Sequence, residues 1–210
     1  MQPCELDPTQ CLKSTAHLDF EHPLVANFVA QHALGETLFE QAISLYYAVR
    51  DKISYNPHRI DLSVNGLSAS FVIEKRRGWC VNKAVLLAAC CRAIGVPAGL
   101  GFADVKNHIT TAKLRQSMGS DVFYWHSYAV LYLNGKWVKA TPAFNQRLCN
   151  KFGILAADFD GINDSIFMPF NAAGDKHMEY LNYRGEFYDV PLTEIVATFE
   201  KEYPQLDCNH

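Results

Sequence analysis

The sequence predicts an α+β fold in a single domain, on the strength of three observations. Residues 36–54 repeat apolar side chains at three- and four-residue intervals, the period of an amphipathic helix. Residues 84–91 are apolar without interruption, which predicts a helix buried on every side. Residues 122–140 form two β-rich runs around Asn134-Gly135, the favoured dipeptide of a two-residue hairpin turn. Helices followed by an antiparallel hairpin are typical of α+β proteins.

Composition and charge exclude several classes of function. The chain has 210 residues, 49% hydrophobic and 20% charged, which is enough for one well-buried core. The net charge of −3 and the lack of a long Lys/Arg stripe argue against a nucleic-acid-binding surface. No run reaches the roughly 18 apolar residues that a membrane helix needs, and the first residues lack the pattern of a secretory signal. We therefore expect a cytoplasmic protein that binds neither nucleic acid nor membrane.

The seven cysteines predict reduced thiols. Their number is odd and they form no CxxC pair, so we expect neither a disulfide framework nor a zinc site. Cys90 and Cys91 lie inside the apolar helix and are interpreted as core residues. Because the chain also has no acidic loop of the calcium-binding kind, no metal and no organic cofactor is predicted.

The other elements are assigned in chain order. Residues 1–21 are polar and contain prolines, which predicts a leader loosely attached to a domain spanning residues 22–210. Residues 104–121 lack a sustained period at a length typical of functional or mobile connections, so they are a candidate lid over the site or a surface insertion. The remaining predictions are a helix over 21–34, a loop over 55–77, strands over 96–103, 166–170 and 177–183, a short helix over 146–156, a turn at 184–185 and a last amphipathic helix over 192–203.

Cys80 stands at the predicted N-terminus of the apolar helix. Unpaired backbone N–H groups and the positive end of the helix dipole favour a thiolate there, and Lys75, Arg76 and Arg77 add positive charge. Cys80 is therefore a candidate nucleophile. The alternative is a half-buried structural cysteine beside a basic loop in solvent.

The register of the predicted hairpin brings His126 and Thr141 to one face of the sheet. With a two-residue loop, Leu133 faces Lys136, and counting back places Tyr128 opposite Thr141. Thr141 then lies one diagonal step from His126, about 7–8 Å between backbones. Nucleophilic amide chemistry requires a thiolate, a base and a group that orients the base. The sequence offers a candidate for each, although His126 taken alone is also consistent with a structural histidine.

Three motifs together resemble the transglutaminase-like superfamily, whose core is a papain-like cysteine-hydrolase fold. They are Gly78-x-Cys80-x-x-x-Ala84 running into LLAACCRAIGVPA, His126-Ser127-Tyr128-Ala129, and NGKWV leading to Thr141-Pro142-Ala143-Phe144-Asn145. The similarity covers roughly residues 36–145 and is weaker beyond, where the chain resembles small bacterial members.

The resemblance implies a thiol-dependent reaction at an amide bond. Cys80 would be the nucleophile that forms a thioester, and His126 would act first as base and then as acid. We expect hydrolysis of a peptide, protein or small amide, as in a cysteine protease or amidase, rather than transglutaminase-like acyl transfer to an amine, because no amine site is visible. The backbone N–H of Cys80 would form part of the oxyanion hole, and Trp79 is a candidate second donor or cleft residue. The alternative for Trp79 is packing at the edge of the core.

The third site position departs from the family pattern, which has Asp followed by Pro where this chain has Thr141-Pro142. Three hypotheses follow. Thr141 orients His126 weakly; Asp158, Asp160 or Asn145 reaches His126 instead; or the protein is a catalytically degenerate binding module. Cysteine–histidine pairs tolerate a neutral third member better than serine–histidine pairs, because they can rest as thiolate and imidazolium. An acyltransferase that uses an acyl thioester is a further alternative, although no carrier motif is present.

Overall fold

The α+β class is confirmed by the architecture of the chain. The computed structural model describes residues 4–108, 115–116, 118–166 and 178–205. In this part of the chain a four-stranded antiparallel sheet packs against helices, and a short parallel pair of strands lies beside them. The elements, after a 3-10 turn at Gln10–Leu12, are α1 (Pro23–His32), α2 (Leu38–Lys52), β1 (Ser54–Tyr55), α3 (Ala69–Lys75), β2 (Arg77–Gly78), α4 (Cys80–Ala93), β3 (Ala98–Asn107), β4 (Val122–Leu133), β5 (Lys136–Ala140), α5 (Gln146–Phe152), β6 (Met178–Phe187) and α6 (Leu192–Glu202).

Local capping residues define two of the helices. At the start of α2, Thr37 and Glu40 form a reciprocal capping box, with the Glu40 N–H bonded to Thr37 Oγ1 at 3.2 Å and the Thr37 N–H bonded to Glu40 Oε2 at 3.0 Å. At α3, Ser68 Oγ accepts from the Phe71 N–H at 3.3 Å. The prediction of a loop throughout residues 55–77 is wrong for α3, because a short helix depends more on its cap and its packing than on a long apolar period.

Helix α4 is buried on every side, as its apolar run predicts. Residues from Cys80 to Arg92 are all buried, including Lys83, whose side chain has no exposed surface. Lys83 Nζ donates to the carbonyl oxygens of Arg50 and Ile53, each at 2.8 Å. Since the last carbonyls of a helix lack partners within it, this lysine anchors α4 to the end of α2.

The sheet has the strand order β5-β4-β3-β6. Leu133 pairs with Lys136 and Ala129 with Ala140, which is the predicted register, so Thr141 follows directly on the last paired residue of β5. Strand β3 extends to Asn107 and takes in the first residues of the segment predicted as a lid. Arg184 and Gly185, predicted as a turn, lie inside β6 at a position where the register with β3 shifts. The strand predicted over 166–170 lies almost wholly outside the described residues.

The N-terminal segment contacts the domain more closely than the loose attachment that its composition predicts. Cys11 and Leu18 have no exposed surface, and His17 bonds Asp189 at 3.0 Å through Nδ1. The difference arises because a few scattered anchors hold the segment, and polar composition does not reveal them. Within the described residues, no helix is long and apolar enough to cross a bilayer.

Candidate active site

Cys80 and His126 line the same small cavity. Cys80 is the first residue of α4 and His126 lies in the first half of β4, and their exposed fractions are 6% and 3%. The cavity also touches Trp79 and Tyr55. Its volume is about 30 Å³, close to that of one water molecule. The fold thus brings the candidate nucleophile and the candidate base to one small cavity.

The start of α4 is held by the side chain of Asn82. Its Oδ1 accepts from the Trp79 N–H at 3.4 Å, and its Nδ2 donates to the carbonyl oxygen of Gly66 at 2.9 Å. A Cβ on Gly78 would lie 2.5 Å from the Cβ of Asn82, so glycine is required there for this close approach. The Gly78-Trp79-Cys80 motif therefore fixes where the thiol enters the cavity.

Burial governs the protonation of the pair. It raises the pKa of the Cys80 thiol to about 11, although the backbone N–H groups of Ser127, Val81 and Cys80 act in the opposite direction. It also lowers the pKa of His126 to about 3. The helix N-terminus does favour the thiolate as expected, but burial outweighs it, so in this buried arrangement the pair rests as neutral thiol and neutral imidazole.

A β-bulge immediately precedes His126. On β4 the two residues Tyr124 and Trp125 stand opposite the single residue Asp104 of β3, and the register shifts there. Trp125 has φ of 58°, in the left-handed region that bulky residues rarely adopt. Such backbone strain costs about 1–3 kcal/mol and is maintained only by the surrounding structure.

Three contacts hold the strained Trp125. Asp104 Oδ1 accepts from the Trp125 N–H at 3.2 Å and from Arg184 Nε at 2.6 Å. The Arg184 guanidinium lies 4.5 Å from the centre of the Trp125 ring system. The indole Nε1–H donates to Thr198 Oγ1 of α6 at 2.9 Å. The backbone that leads into His126 is therefore determined by β3, β6 and α6 together.

Thr141 is buried, with 1% exposure, and its Oγ1 has no hydrogen-bond partner among the described residues. Two of the alternative orienting groups are engaged elsewhere. The Asp158 side chain is 82% exposed and pairs with Arg50, whereas Asp160 accepts from the N–H groups of its own turn. Asn145 is the N-cap residue of α5 and its side chain does not bond the helix start.

Helix α6 covers the cavity, which sequence reasoning missed. Phe199 and Tyr203 line it and are each 3% exposed, and the Phe199 ring lies 5.7 Å from that of Trp79. Tyr203 Oη accepts from the Tyr124 N–H at 2.8 Å and donates to the Val122 carbonyl at 2.7 Å. The spacing of Phe199 and Tyr203 marks an apolar helix face, but it carries no information about the surface that this face meets.

One residue of the predicted lid also lines the cavity. Met118 is buried and contributes to its wall. Residues 109–114 and 117 lie outside the described part of the chain, so the lid hypothesis for 104–121 stays a prediction. Among the described residues, no group of three or more His, Cys, Asp or Glu side chains has the arrangement of a metal site.

Comparisons with known proteins bear on this site. The model of the transglutaminase-like superfamily matches residues 26–142, more than half of the chain. A crystal structure from Cytophaga hutchinsonii, described as a putative cysteine protease, is similar with a TM-score of 0.50 at 14% identity over 87% of this chain. The match takes in 55% of that protein, so this chain spans little more than half its length. A protein from Parabacteroides distasonis ATCC 8503, described as a putative protease, gives a TM-score of 0.40 at 16% identity over 64% of this chain and 25% of its own. No protein of curated function matches.

Proposed function

Because the chain belongs to the transglutaminase-like superfamily, we propose that it hydrolyses an amide bond of a peptide through a thioester on Cys80, with His126 as the acid–base group. The observation that carries the proposal is the cavity that both residues line at the N-terminus of α4. The fold itself is that of a cysteine-based hydrolase or acyltransferase.

In the proposed reaction His126 accepts one proton in each half and donates it again before the cycle ends. Cys80 Sγ attacks the substrate carbonyl carbon while His126 takes the thiol proton. The C–N bond then breaks and His126 returns the proton to the leaving amine, which leaves an acyl thioester on Cys80. A water molecule, deprotonated by His126, hydrolyses the thioester and restores the thiol.

Trp79 is the proposed second donor to the oxyanion. The backbone N–H of Cys80 lies at the helix start, where such groups lack partners within the helix. The indole Nε1–H of Trp79 is buried, and among the described residues nothing accepts from it. Since Trp79 lines the cavity, this N–H is a donor that a developing oxyanion would satisfy.

The neutral resting pair sets a condition on the proposed reaction. A cavity of about 30 Å³ does not admit a peptide, so its cover must move before substrate enters. Opening also hydrates the two groups, which removes the main cause of the raised pKa of Cys80 and the lowered pKa of His126. The backbone N–H groups remain and then favour the thiolate.

The test is the pH dependence of Cys80 alkylation by iodoacetamide, resolved by site with mass spectrometry. We expect His126→Ala to lower the rate at pH 7 by about 10²-fold or more, since general acid–base groups contribute that much. The rate profile should also move to higher pH, because in the opened, hydrated state the variant has no imidazolium to stabilise the thiolate. His108→Ala, which removes a histidine paired with Glu179 on the surface, is the matched control.

Equal rates and profiles in the wild type and in His126→Ala would contradict the proposal. They would favour the binding-module alternative, which requires no reactive thiol.

A further inference from the structure

A second, larger cleft lies beside the start of α4. Its volume is about 470 Å³, within the usual range of small-molecule sites. Its walls come from residues 56–61 and from the segment around β2, and they carry three basic side chains, Arg59, Lys75 and Arg77. We call it the Arg59–Arg77 cleft. It can hold part of a substrate, whereas the cavity at Cys80 cannot.

The Arg59–Arg77 cleft adjoins the candidate nucleophile. Ile60 lines both this cleft and the Cys80 cavity. Gly78 and Asn82, which stand on either side of Trp79-Cys80 in the chain, line it as well. The Asn82 side chain bonds both the Trp79 N–H and the Gly66 carbonyl, so hydrogen bonds join the wall of the cleft to the start of α4. A ligand in this cleft lies next to the small cavity that holds the thiol.

The charge of the cleft is opposite to that of the chain as a whole. The protein carries a net charge of −3, yet the cleft has three cations against the single carboxylate of Asp61. Lys75 pairs with Glu74 at 2.7 Å. Neither Arg59 nor Arg77 forms an ion pair with any described residue, and both are exposed. Two guanidinium groups are therefore available to a ligand.

We propose that the Arg59–Arg77 cleft binds a carboxylate of the amide substrate and so selects acidic substrates for Cys80. Guanidinium groups bind carboxylates through paired, charge-assisted hydrogen bonds. A basic cleft on an acidic protein also concentrates anionic ligands locally. The inference deepens the proposed function and rests on it, since the selection matters only if Cys80 reacts.

The experiment compares two alkylating reagents that differ only in charge, N-bromoacetyl-β-alanine and its neutral carboxamide. The readout is the ratio of their rate constants at Cys80, resolved by site with mass spectrometry. We expect this ratio in the wild type to exceed that of N-acetylcysteine amide by about tenfold, and to fall towards it as salt is added. The double variant Arg59→Gln/Arg77→Gln should lose most of this preference.

The double variant Arg147→Gln/Lys151→Gln is the matched control. It removes two exposed cations from α5, outside the cleft, and changes the net charge by the same amount. A ratio that is equal in the cleft variant, the control and the wild type would overturn the inference, while a rate that still depends on His126 would leave the proposed function standing. Loss of the His126 dependence would instead contradict the proposed function itself, so the two failures are distinguishable.

Discussion

Thr141 stands where the resemblance to the transglutaminase-like superfamily predicts an Asp. Its backbone position was predictable from the hairpin register, because a two-residue turn fixes every pairing that follows it. Its environment was not predictable, because burial and hydrogen bonding depend on elements distant in sequence. The hydroxyl is buried without a partner among the described residues, so the neutral pair has no charge at this position to favour imidazolium.

The substitution T141D introduces a carboxylate at this position. Because an adjacent negative charge typically raises the pKa of a histidine by about 1–3 units, we expect at least about tenfold faster alkylation of Cys80 at pH 7. The measurement is iodoacetamide labelling of Cys80, accompanied by thermal unfolding to confirm that the variant is folded. T141N, of nearly the same shape but neutral, is the control. Equal rates in T141D and T141N would show that charge at position 141 does not reach His126.

At the scale of elements, periodicity predicted which helices form but not what they cover. Residues 192–202 form a helix close to the predicted one, and α2 begins and ends within two residues of its predicted bounds. The position of α6 over the Cys80 cavity depends on Phe199, Tyr203 and the bond from Trp125 to Thr198. The residues that these side chains contact lie in β4 and immediately before α4. The apolar face of a helix does not indicate which elements it packs against.

Truncating Phe199 should expose the thiol. Removing a buried Phe side chain costs about 3–5 kcal/mol. Each step of about 1.4 kcal/mol by which the closed state is destabilised relative to the open state increases the open population about tenfold. We therefore expect Phe199→Ala to accelerate iodoacetamide labelling of Cys80 by at least about tenfold. Glu200→Ala, an exposed neighbour on the same helix, should leave the rate unchanged.

Circular dichroism of Phe199→Ala would separate local opening from global unfolding. Unchanged labelling in a variant that keeps the wild-type spectrum would mean that α6 does not control access to Cys80.

At the scale of the whole molecule, the N-terminal segment and the end of β6 are joined through Arg92. This buried guanidinium donates to the carbonyl oxygens of Lys13, Ala98 and Tyr188. Burial lowers the pKa of Arg92, but the ordinary pKa of an arginine is so high that the guanidinium keeps its charge. In the sequence Arg92 follows directly on the apolar run 84–91. Its three acceptors lie 6, 79 and 96 residues away, and a local pattern could not reveal them.

Arg92 should therefore control both global stability and the attachment of the N-terminal segment. Arg92→Met leaves three carbonyls without their donor, and that of Ala98 is buried. Because a buried acceptor without a donor costs about 1–3 kcal/mol, we expect the free energy of unfolding in urea to fall by at least about 1 kcal/mol. Arg92→Lys keeps the charge but not the geometry of the guanidinium, so its loss should be intermediate. Trypsin should cleave after Lys13 faster in Arg92→Met than in the wild type, because the segment loses the bond that holds Lys13 to the domain. Arg147→Met, at an exposed position of α5, is the control. If the two methionine variants unfold at the same urea concentration, the segment is held by its apolar contacts at Cys11 and Leu18 rather than by Arg92.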